Sequence, residues 1–437
     1  MNLEKIFYIV ASTVLVTVFV LIVFIFSPVS YDENLNKMEK VIYYADNISP
    51  ALQKIINKFN SEYKGRIRVE TIDLPFDKFS TNERKELLAR YLRSKSSRID
   101  LFSVDIIWVP RFSRWALPLN KLADSNLVED LMPHFLPTSY TNDSLVALPL
   151  YFDIAVMFYR EDMLKKVPRY QEFEKELNES ITWERFRELR NLVDAANRRV
   201  NKPFYLFQAD EYEGLMCSFV EVLTNKNNQI NLKNGNLTKD DKNAAEAIQF
   251  LTGLVHDSRI SPVEVTGMKE NQSYEYFFSK EAFALRGWPG FLSTSNKALK
   301  AEDRNKLKAA PLPHIAGSKP AFVFGGWNLM ISKFSDNIPE VMRFVNFLLS
   351  VESQKLHYEE GNVLPVRRSV YEDKEFIKKH PELTFYAKLF EFGVHRPIFE
   401  DYTGLSDILV KHINNAIKNN LSAEETIAEI KKEMNLR

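Results

Sequence analysis

The chain has little of what catalytic and metal-binding sites are built from. Its single cysteine, Cys217, cannot form an internal disulfide, and in a predicted helix it is expected to be a small core residue rather than a nucleophile. The seven histidines show no metal-ligand spacing with one another or with the cysteine. Glycine-rich phosphate loops and a Gly-x-Ser-x-Gly elbow are both absent from the sequence. The sequence therefore predicts no metal, no cofactor and no enzyme of these classes.

The chain also lacks a charge excess. Lysine plus arginine number 58 and aspartate plus glutamate number 58, so nothing favours a nucleic-acid partner. Hydrophobic residues make up 45% and charged residues 27% of the 437 residues, which is typical of a globular body. A body of this length exceeds one simple core and predicts two large lobes.

One long hydrophobic run stands at the N-terminus. The segment Ile6–Phe26 contains no charged residue, and at about 1.5 Å per residue it matches a bilayer core of roughly 30 Å. Pro28 spoils the small-x-small pattern of a cleavage site, which favours a retained transmembrane signal anchor over a cleaved signal peptide. Lys5 precedes the run, so positive-inside bias leaves residues 30–437 outside the cytoplasm. Residues 27–39 are predicted to be a linker.

Strand and helix patterns alternate along the first part of the chain. Alternation of this kind predicts an α/β fold with a parallel sheet and helical crossovers. The predicted elements, in order, are a strand at Val41–Tyr44, a helix opened by Pro50, a strand at Arg66–Ile72, a helix at Glu83–Leu92, a strand at Asp100–Trp108, a strand at Tyr151–Tyr159, a helix at Trp183–Arg198 and a strand at Phe322–Ile331.

Aromatic rings and charged groups recur in four distant segments, three of which lie beside glycine or proline. Flat rings can cover the apolar faces of a sugar, while a carboxylate and a guanidinium can bind its hydroxyl groups. We therefore predict one sugar-binding crevice shared by these segments. Its predicted residues are Tyr151, Asp153, Trp288, Gly326, Trp327 and Arg367.

Each of these residues also has a plain structural interpretation. Tyr151 and Asp153 alternate along a strand and so share a face; the alternative is a core ring for Tyr151 and a cap or an ion-pair member for Asp153. The alternative for the two tryptophans is core packing, and the alternative for Gly326 is a plain turn or bulge rather than a close approach of ligand. Arg368 is the alternative to Arg367 as the residue whose guanidinium binds the sugar hydroxyl groups.

Four ordered motifs resemble those of one transporter family. The motifs are Ser103–Trp108 with Pro118-Leu119-Asn120, Leu148–Asp162, Gly325–Leu329 before a helix at Pro339, and Gly361–Arg367. From about residue 40 to its end, the chain resembles extracellular solute-binding proteins of ABC importers, family 1, which are similar to maltose/trehalose-binding proteins.

The resemblance implies a two-lobe, periplasmic-binding-protein-like (type II) fold with a cleft between the lobes. The implied lobes are 40–147 with 262–314 and 148–261 with 315–437, and the implied crossings lie near 147–150, 258–264 and 312–321. It also implies a ligand role for Asp46 at the end of the first strand, where the alternative is a helix cap.

The third predicted strand is followed by further polar and aromatic residues. Arg111 is a candidate cleft residue, whereas Trp108 is expected in the core and Asp105 is expected to be a structural partner rather than a ligand contact.

The function implied is capture of a carbohydrate or related polyol outside the cell and its delivery to ABC permease subunits, without covalent chemistry. Two alternatives stay open at this stage. One is a sensor of the same fold that signals to a membrane kinase. The other is an anchored glycan-active enzyme, because no carboxylate pair can be singled out among 58 acidic residues.

Overall fold

The structure is a computed structural model that describes residues 13–18, 39–75, 81–95, 98–225, 241–293 and 299–435. Of the predicted signal anchor Ile6–Phe26, only residues 13–18 are described, and they are helical. The rest of that segment and residues 27–38 of the predicted linker lie outside the described residues. Within the described ranges, no helix combines the length and the apolar character that crossing a bilayer requires.

The first sheet contains six strands. Its strands are β1 (Lys40–Asp46), β2 (Ile67–Asp73), β3 (Leu101–Asp105), β6 (Leu148–Ile154), β11 (Phe322–Ile331) and β12 (Gly393–Val394). Strand β1 pairs in parallel with β2 and β3, as the alternating sequence pattern predicts. Strand β11 runs antiparallel between β3 and β6, and all its residues are buried. The first sheet therefore mixes a parallel half with an antiparallel half.

The second sheet contains four strands. They are β7 (Val156–Arg160), β8 (Tyr205–Leu206), β9 (Ala284–Gly287) and β10 (Leu307–Ala310), in the order β10-β7-β9-β8. Strand β7 is antiparallel to both of its neighbours, and β8 is parallel to β9. A separate hairpin joins β4 (Tyr140–Thr141) to β5 (Ser144–Leu145).

Helices cover both sheets. The longer described helices are Pro50–Glu62, Thr81–Arg93, Tyr170–Asn178, Trp183–Asn197, Glu213–Asn225, Asp241–Val255, Glu270–Ser279, Ile338–Leu348, Val351–Gly361, Glu382–Phe390, Tyr402–Asn419 and Ala423–Asn435. The shorter α-helices are Val109–Phe112, Ser125–Glu129, Glu161–Leu164, Ala301–Arg304, Arg368–Glu372 and Lys374–Lys379. The 3₁₀ turns are Ile106–Trp108, Ser113–Trp115, Leu136–Ser139, Val263–Gly267 and Pro289–Leu292.

Local signals account for where several of these elements begin. The Ser49 side chain accepts a hydrogen bond from the backbone N–H of Leu52, and Pro50 occupies the first turn, so this helix begins where the sequence predicts. The predicted third strand ends early, at Asp105, because the Asp105 carboxylate accepts from the N–H of Ile107 at 3.2 Å and starts a 3₁₀ turn. The site described below lies at this strand end.

The chain passes between the two sheets at three places. Strand β6 ends at Ile154 and β7 begins at Val156, so one apolar run serves both sheets. The second passage connects β10 to β11, and it contains the predicted crossing at 312–321. The third follows β12, after which the helix Tyr402–Asn419 packs on the helices Glu213–Asn225 and Asp241–Val255.

The strands correct the predicted lobe boundaries. The predicted crossing at 258–264 is wrong, because the carbonyl of Ile260 accepts hydrogen bonds from Phe204 and Tyr205 at the second sheet. The predicted first crossing at 147–150 falls inside β6, and the segment 262–314 contains β9 and β10 of the second sheet. The periodicity of a strand indicates which of its residues are buried but not which sheet the strand joins. It therefore could not show that β6 belongs to the first sheet and that β9 and β10 belong to the second. We therefore propose lobes at 40–154 with 322–394, and at 156–310 with 402–435.

Candidate functional site

A cavity of about 380 Å³ lies between the two sheets, within the size range of small-molecule sites. From the first sheet its lining includes Asp105, Tyr151, Asp153, Gly325, Gly326 and Trp327. The second lobe contributes residues 212–214 and 269–272 together with Cys217 and Trp288, and the third passage contributes Arg396. Both lobes therefore supply walls of one crevice.

The structure brings most of the predicted site residues together. Tyr151, Asp153, Trp288, Gly326 and Trp327 all line this cavity, although they come from three distant segments of the chain. Strand pairing explains part of this convergence, because Tyr151 lies opposite Trp327 in the β6–β11 ladder. The ligand contacts of these side chains stay a prediction.

Asp153 is one of the polar groups of the cavity that has a buried atom without a hydrogen-bond partner among the described residues. Its Oδ1 atom is buried, and within the part of the chain that the structure describes this atom has no hydrogen-bond partner. Burial raises the pKa of the Asp153 carboxyl to about 8. A buried carboxyl group without a partner is unfavourable, so hydrogen-bond donors on a bound molecule would stabilise it.

Two glycines of β11 leave room for close neighbours, Gly325 for Trp288 of the opposite wall and Gly326 for the adjacent strand β6. A Cβ atom added at Gly325 would lie 3.1 Å from Cζ3 of Trp288 and 3.3 Å from Cβ of Asp153. At Gly326 the φ angle is +136°, and an added Cβ atom would lie 2.7 Å from the carbonyl oxygen of Tyr151. Glycine is required at Gly326 on both grounds. Trp288 of the second lobe thus packs directly on a strand of the first sheet.

Each tryptophan of the cavity packs against an arginine. The guanidinium of Arg286 lies 4.7 Å from the ring centre of Trp288, and that of Arg84 lies 4.4 Å from the ring centre of Trp327. Arg286 is held in turn by Glu221, with contacts of 2.9 and 2.7 Å. These contacts fix the orientation of both rings before any ligand arrives.

Trp288 has the greater freedom to contact a ligand. It is partly buried, and its indole N–H donates to Oε1 of Glu270 at 3.3 Å. Trp327 is only 8% exposed and meets Trp108 edge-on at 5.9 Å between ring centres. Trp108 itself is buried, as the sequence predicts. We therefore expect Trp288 to be the main stacking surface.

A largely buried ion triad forms part of the cavity lining. The Arg396 guanidinium donates to Oδ1 of Asp105 at 2.9 Å and to Oε1 of Glu213 at 3.0 Å. Glu213 also accepts hydrogen bonds from the hydroxyls of Tyr402 and Ser406. Burial raises the pKa of Glu213, although Arg396 acts in the opposite direction. Because Asp105 ends β3 and Glu213 begins a helix of the other lobe, the triad links the two lobes.

Two predicted arginine contacts are corrected by the structure. The Arg367 guanidinium donates to Asp130 at 2.5 Å and to the carbonyl of Leu349 at 3.0 Å, and Arg367 is outside the cavity lining. Arg111 is also outside the lining, because it donates to Thr403 at 3.1 Å and to Glu86 at 3.0 Å. Both side chains are held by structural partners.

The remaining predicted contacts fall away from the cavity as well. Asp46 is buried and accepts from the hydroxyl of Tyr44 at 2.6 Å and from Arg84 at 3.3 Å, so it is a core partner. It is not a cap, since Ser49 caps the following helix. Arg368, the alternative to Arg367, lies 3.5 Å from Glu372 and is largely exposed.

The sequence reading missed several lining residues. They are Tyr212, Glu213, Lys269, Glu270, Asn271, Gln272 and Arg396. Glu213 begins a mostly buried helix and Tyr212 precedes it, so the apolar pattern of this segment indicates core packing rather than a cavity wall. Arg396 lies in a segment without helix or strand, where no periodicity marks it. Cys217 also lines the cavity, and burial raises the pKa of its thiol to about 12, which agrees with a small core residue.

Comparison with known proteins identifies the family. A sequence profile of bacterial extracellular solute-binding proteins matches residues 45–355. The chain belongs to this family. This family consists of extracellular solute-binding proteins, so the chain is a binding protein and not an enzyme, and its family acts outside the cytoplasm.

One curated relative is described as a probable ABC transporter-binding protein of Deinococcus radiodurans. It is 27% identical over 320 residues, which cover 72% of this chain and 74% of the relative. Among solved structures, maltose-bound MalE3 of T. maritima matches with a TM-score of 0.78 and 26% identity, covering 91% of this chain and 99% of that one.

A third similarity supports the fold alone. The GacH receptor of Streptomyces glaucescens GLA.O matches with a TM-score of 0.75 and 20% identity, over 91% of this chain and 97% of that one. The two-lobe, periplasmic-binding-protein-like architecture implied by the sequence motifs is therefore confirmed.

Proposed function

We propose that this protein captures a carbohydrate or related polyol outside the cytoplasm and delivers it to ABC permease subunits. The observation that carries the proposal is the cavity in which Asp153, without a hydrogen-bond partner on Oδ1 among the described residues, lies beside the ring of Trp288. A carboxyl group next to an indole suits the hydroxyl edge and the apolar face of a pyranose.

Closure of the two lobes provides the mechanism. Tyr151 and Asp153 belong to the first sheet, whereas Trp288 and Glu270 belong to the second lobe, so a solute touches all four only when the lobes approach. A solute with contacts on both lobes binds the closed form better and shifts the population toward it. No bond is made or broken in the solute.

Anchoring by Ile6–Phe26 is part of the proposal. The length and apolar character of that segment support it, and a tether would hold the protein near its permease. Membrane fractions washed with alkaline carbonate are the test. Retention of the full chain in the pellet is expected, and its release together with a shortened N-terminus would contradict the anchor.

Maltose in the related T. maritima structure suggests where to begin the search for a ligand. Isothermal titration of the full chain, in a detergent without a sugar head group, against neutral sugars and polyols tests the function. One solute is expected to bind with one-to-one stoichiometry and to lose affinity in Asp153→Asn. Asp336→Asn, an exposed residue away from the cavity, is the matched control. Absence of binding by every sugar and polyol would overturn the proposal.

A further inference from the structure

The cavity contains more carboxyl groups than cations. Its acidic lining residues are Asp105, Asp153, Glu213 and Glu270, and its basic lining residues are Lys269 and Arg396. An uneven charge of this kind matters in a cleft, because low-dielectric walls concentrate its field on the solute.

Neither cation is poised to receive an anionic solute. Arg396 is 3% exposed and is already shared between Asp105 and Glu213, at 2.9 and 3.0 Å. Lys269 lies 3.9 Å from a carboxylate oxygen of Asp210 and 5.6 Å from the ring centre of Tyr212. An anionic solute would have to compete with these partners and would also face the acidic walls.

The acidic lining residues differ in whether they have ion-pair or hydrogen-bond partners. Asp105 and Glu213 are neutralised in part by Arg396, and Glu270 accepts from the indole of Trp288. Asp153 has no such partner for Oδ1 among the described residues, and three tyrosines sense its charge. They are Tyr151, Tyr274 and Tyr386. Asp153 is therefore the group in the lining that a cation would stabilise most.

We propose that the solute carries a protonated amine beside its hydroxyl groups, as an amino sugar or amine-bearing glycan does, and that Asp153 binds the ammonium. This inference rests on the proposed function and names the class of solute for the same cavity. The ammonium pairs with the buried carboxylate, while the apolar face of the ring packs on Trp288.

The protonation behaviour of Asp153 agrees with this assignment. Burial raises the pKa of its carboxyl to about 8, and among the described residues no cation opposes this rise. An ammonium at hydrogen-bond distance favours the ionised carboxylate, so the pair forms as charge-assisted hydrogen bonds. A uronate or a sugar phosphate brings its negative charge into a cavity that also holds the carboxyl groups of Asp105, Glu213 and Glu270, so it is expected to bind more weakly.

The test uses matched sugars that differ in one group. Glucose, galactose and mannose, as monosaccharides and as homodisaccharides, are titrated as the parent sugar, the 2-amino sugar, the 2-acetamido sugar and the uronate. The full chain is used in a detergent without a sugar head group. The acetamido form keeps the nitrogen without its charge, so it separates charge from shape.

The amino sugar of the best-binding series is expected to bind about tenfold or more tightly than its parent and its acetamido form. The uronate of that series is expected to bind about tenfold more weakly than the parent. In Asp153→Asn the preference for the amine falls to about one, whereas Asp336→Asn retains it. A parent, acetamido or uronate form that binds as tightly as the amine would overturn this inference and leave the proposed function standing. No binding by any of these forms would overturn this inference, and the proposed function falls as well only if the wider panel of neutral sugars and polyols also fails to bind.

Discussion

The guanidinium of Arg396 lies 2.9 Å from the carboxylate of Asp105, although 291 residues separate them along the chain. The same guanidinium reaches Glu213 of the other lobe at 3.0 Å. Arg396 follows β12 in the third passage between the sheets, so one buried side chain ties both walls of the cavity to the segment that connects them. Removal of the Arg396 side chain should therefore lower the stability of the protein more than removal of one partner of a surface ion pair.

Replacement of Arg396 by methionine is expected to lower the free energy of unfolding by about 3–5 kcal/mol, because Asp105 and Glu213 lose their partner in a largely buried setting. Urea denaturation measures the change. Arg169→Met is the control, since the pair Arg169–Glu172 is exposed and is expected to contribute less than about 1 kcal/mol. Equal effects of the two variants would show that the triad has no structural importance.

The raised pKa of Asp153 predicts a pH dependence of stability. The folded carboxyl titrates at about 8 and its usual value is 3.8, so between these values the folded state holds a proton that the unfolded state lacks. Stability therefore falls as pH rises through this window, by at most about 1.4 kcal/mol per pH unit. In the absence of ligand, Asp153→Asn should remove the contribution of Asp153 to this fall in stability.

The measurement is the difference in unfolding free energy between wild type and Asp153→Asn at pH 5, 7 and 9. The variant is expected to gain relative to the wild type as pH rises to about 8. A constant difference across this range would mean that Asp153 titrates normally and is not desolvated.

Gly326 is predicted to be intolerant of a side chain. An added Cβ atom meets the carbonyl oxygen of Tyr151 at 2.7 Å, and the φ angle of +136° is itself unfavourable for alanine. Gly65 is the matched control, because its φ angle is +76° but an added Cβ atom has nothing within 4 Å. Thermal and urea unfolding should show that Gly326→Ala costs roughly 2 kcal/mol more than Gly65→Ala. Similar losses would mean that β11 and β6 separate easily.

Trp288 should report ligand binding by fluorescence. It is one of five tryptophans, it lines the cavity, and only part of its surface is buried. A sugar that stacks on the ring is expected to change the emission, and Trp288→Phe should abolish most of the change and weaken binding by about tenfold. Trp115→Phe, a partly buried tryptophan outside the lining, should leave both signals intact. An unchanged ligand response in Trp288→Phe would remove this ring from the site.

Local patterns allowed much of the fold to be predicted. Alternating strands and helices indicated the parallel arrangement of β1, β2 and β3, and the helix beginning at Pro50 is where its cap and proline place it. Sheet membership was not predictable for β6, β9 and β11, because burial has the same period in either sheet. These strands acquire their partners from segments far away in sequence.

The same contrast between local sequence patterns and partners far away in sequence explains which site residues could be predicted. Tyr151 and Asp153 were found because alternation along a strand places both on one face. Arg367 was misassigned because a guanidinium suits a ligand and a structural carboxylate equally well, and its partner Asp130 is 237 residues away. Arg396 was missed for the same physical reason, since its role depends on Asp105 and Glu213 rather than on its neighbours in sequence.

The central claim is that a sugar occupies the cavity between Asp153 and Trp288. A crystal structure of the protein with the best-binding sugar from the titrations tests it most directly. The account predicts electron density for the sugar with its polar edge at hydrogen-bond distance from the Asp153 carboxylate and its ring against the Trp288 indole. Density for the sugar at another surface, with this cavity holding only water, would contradict it.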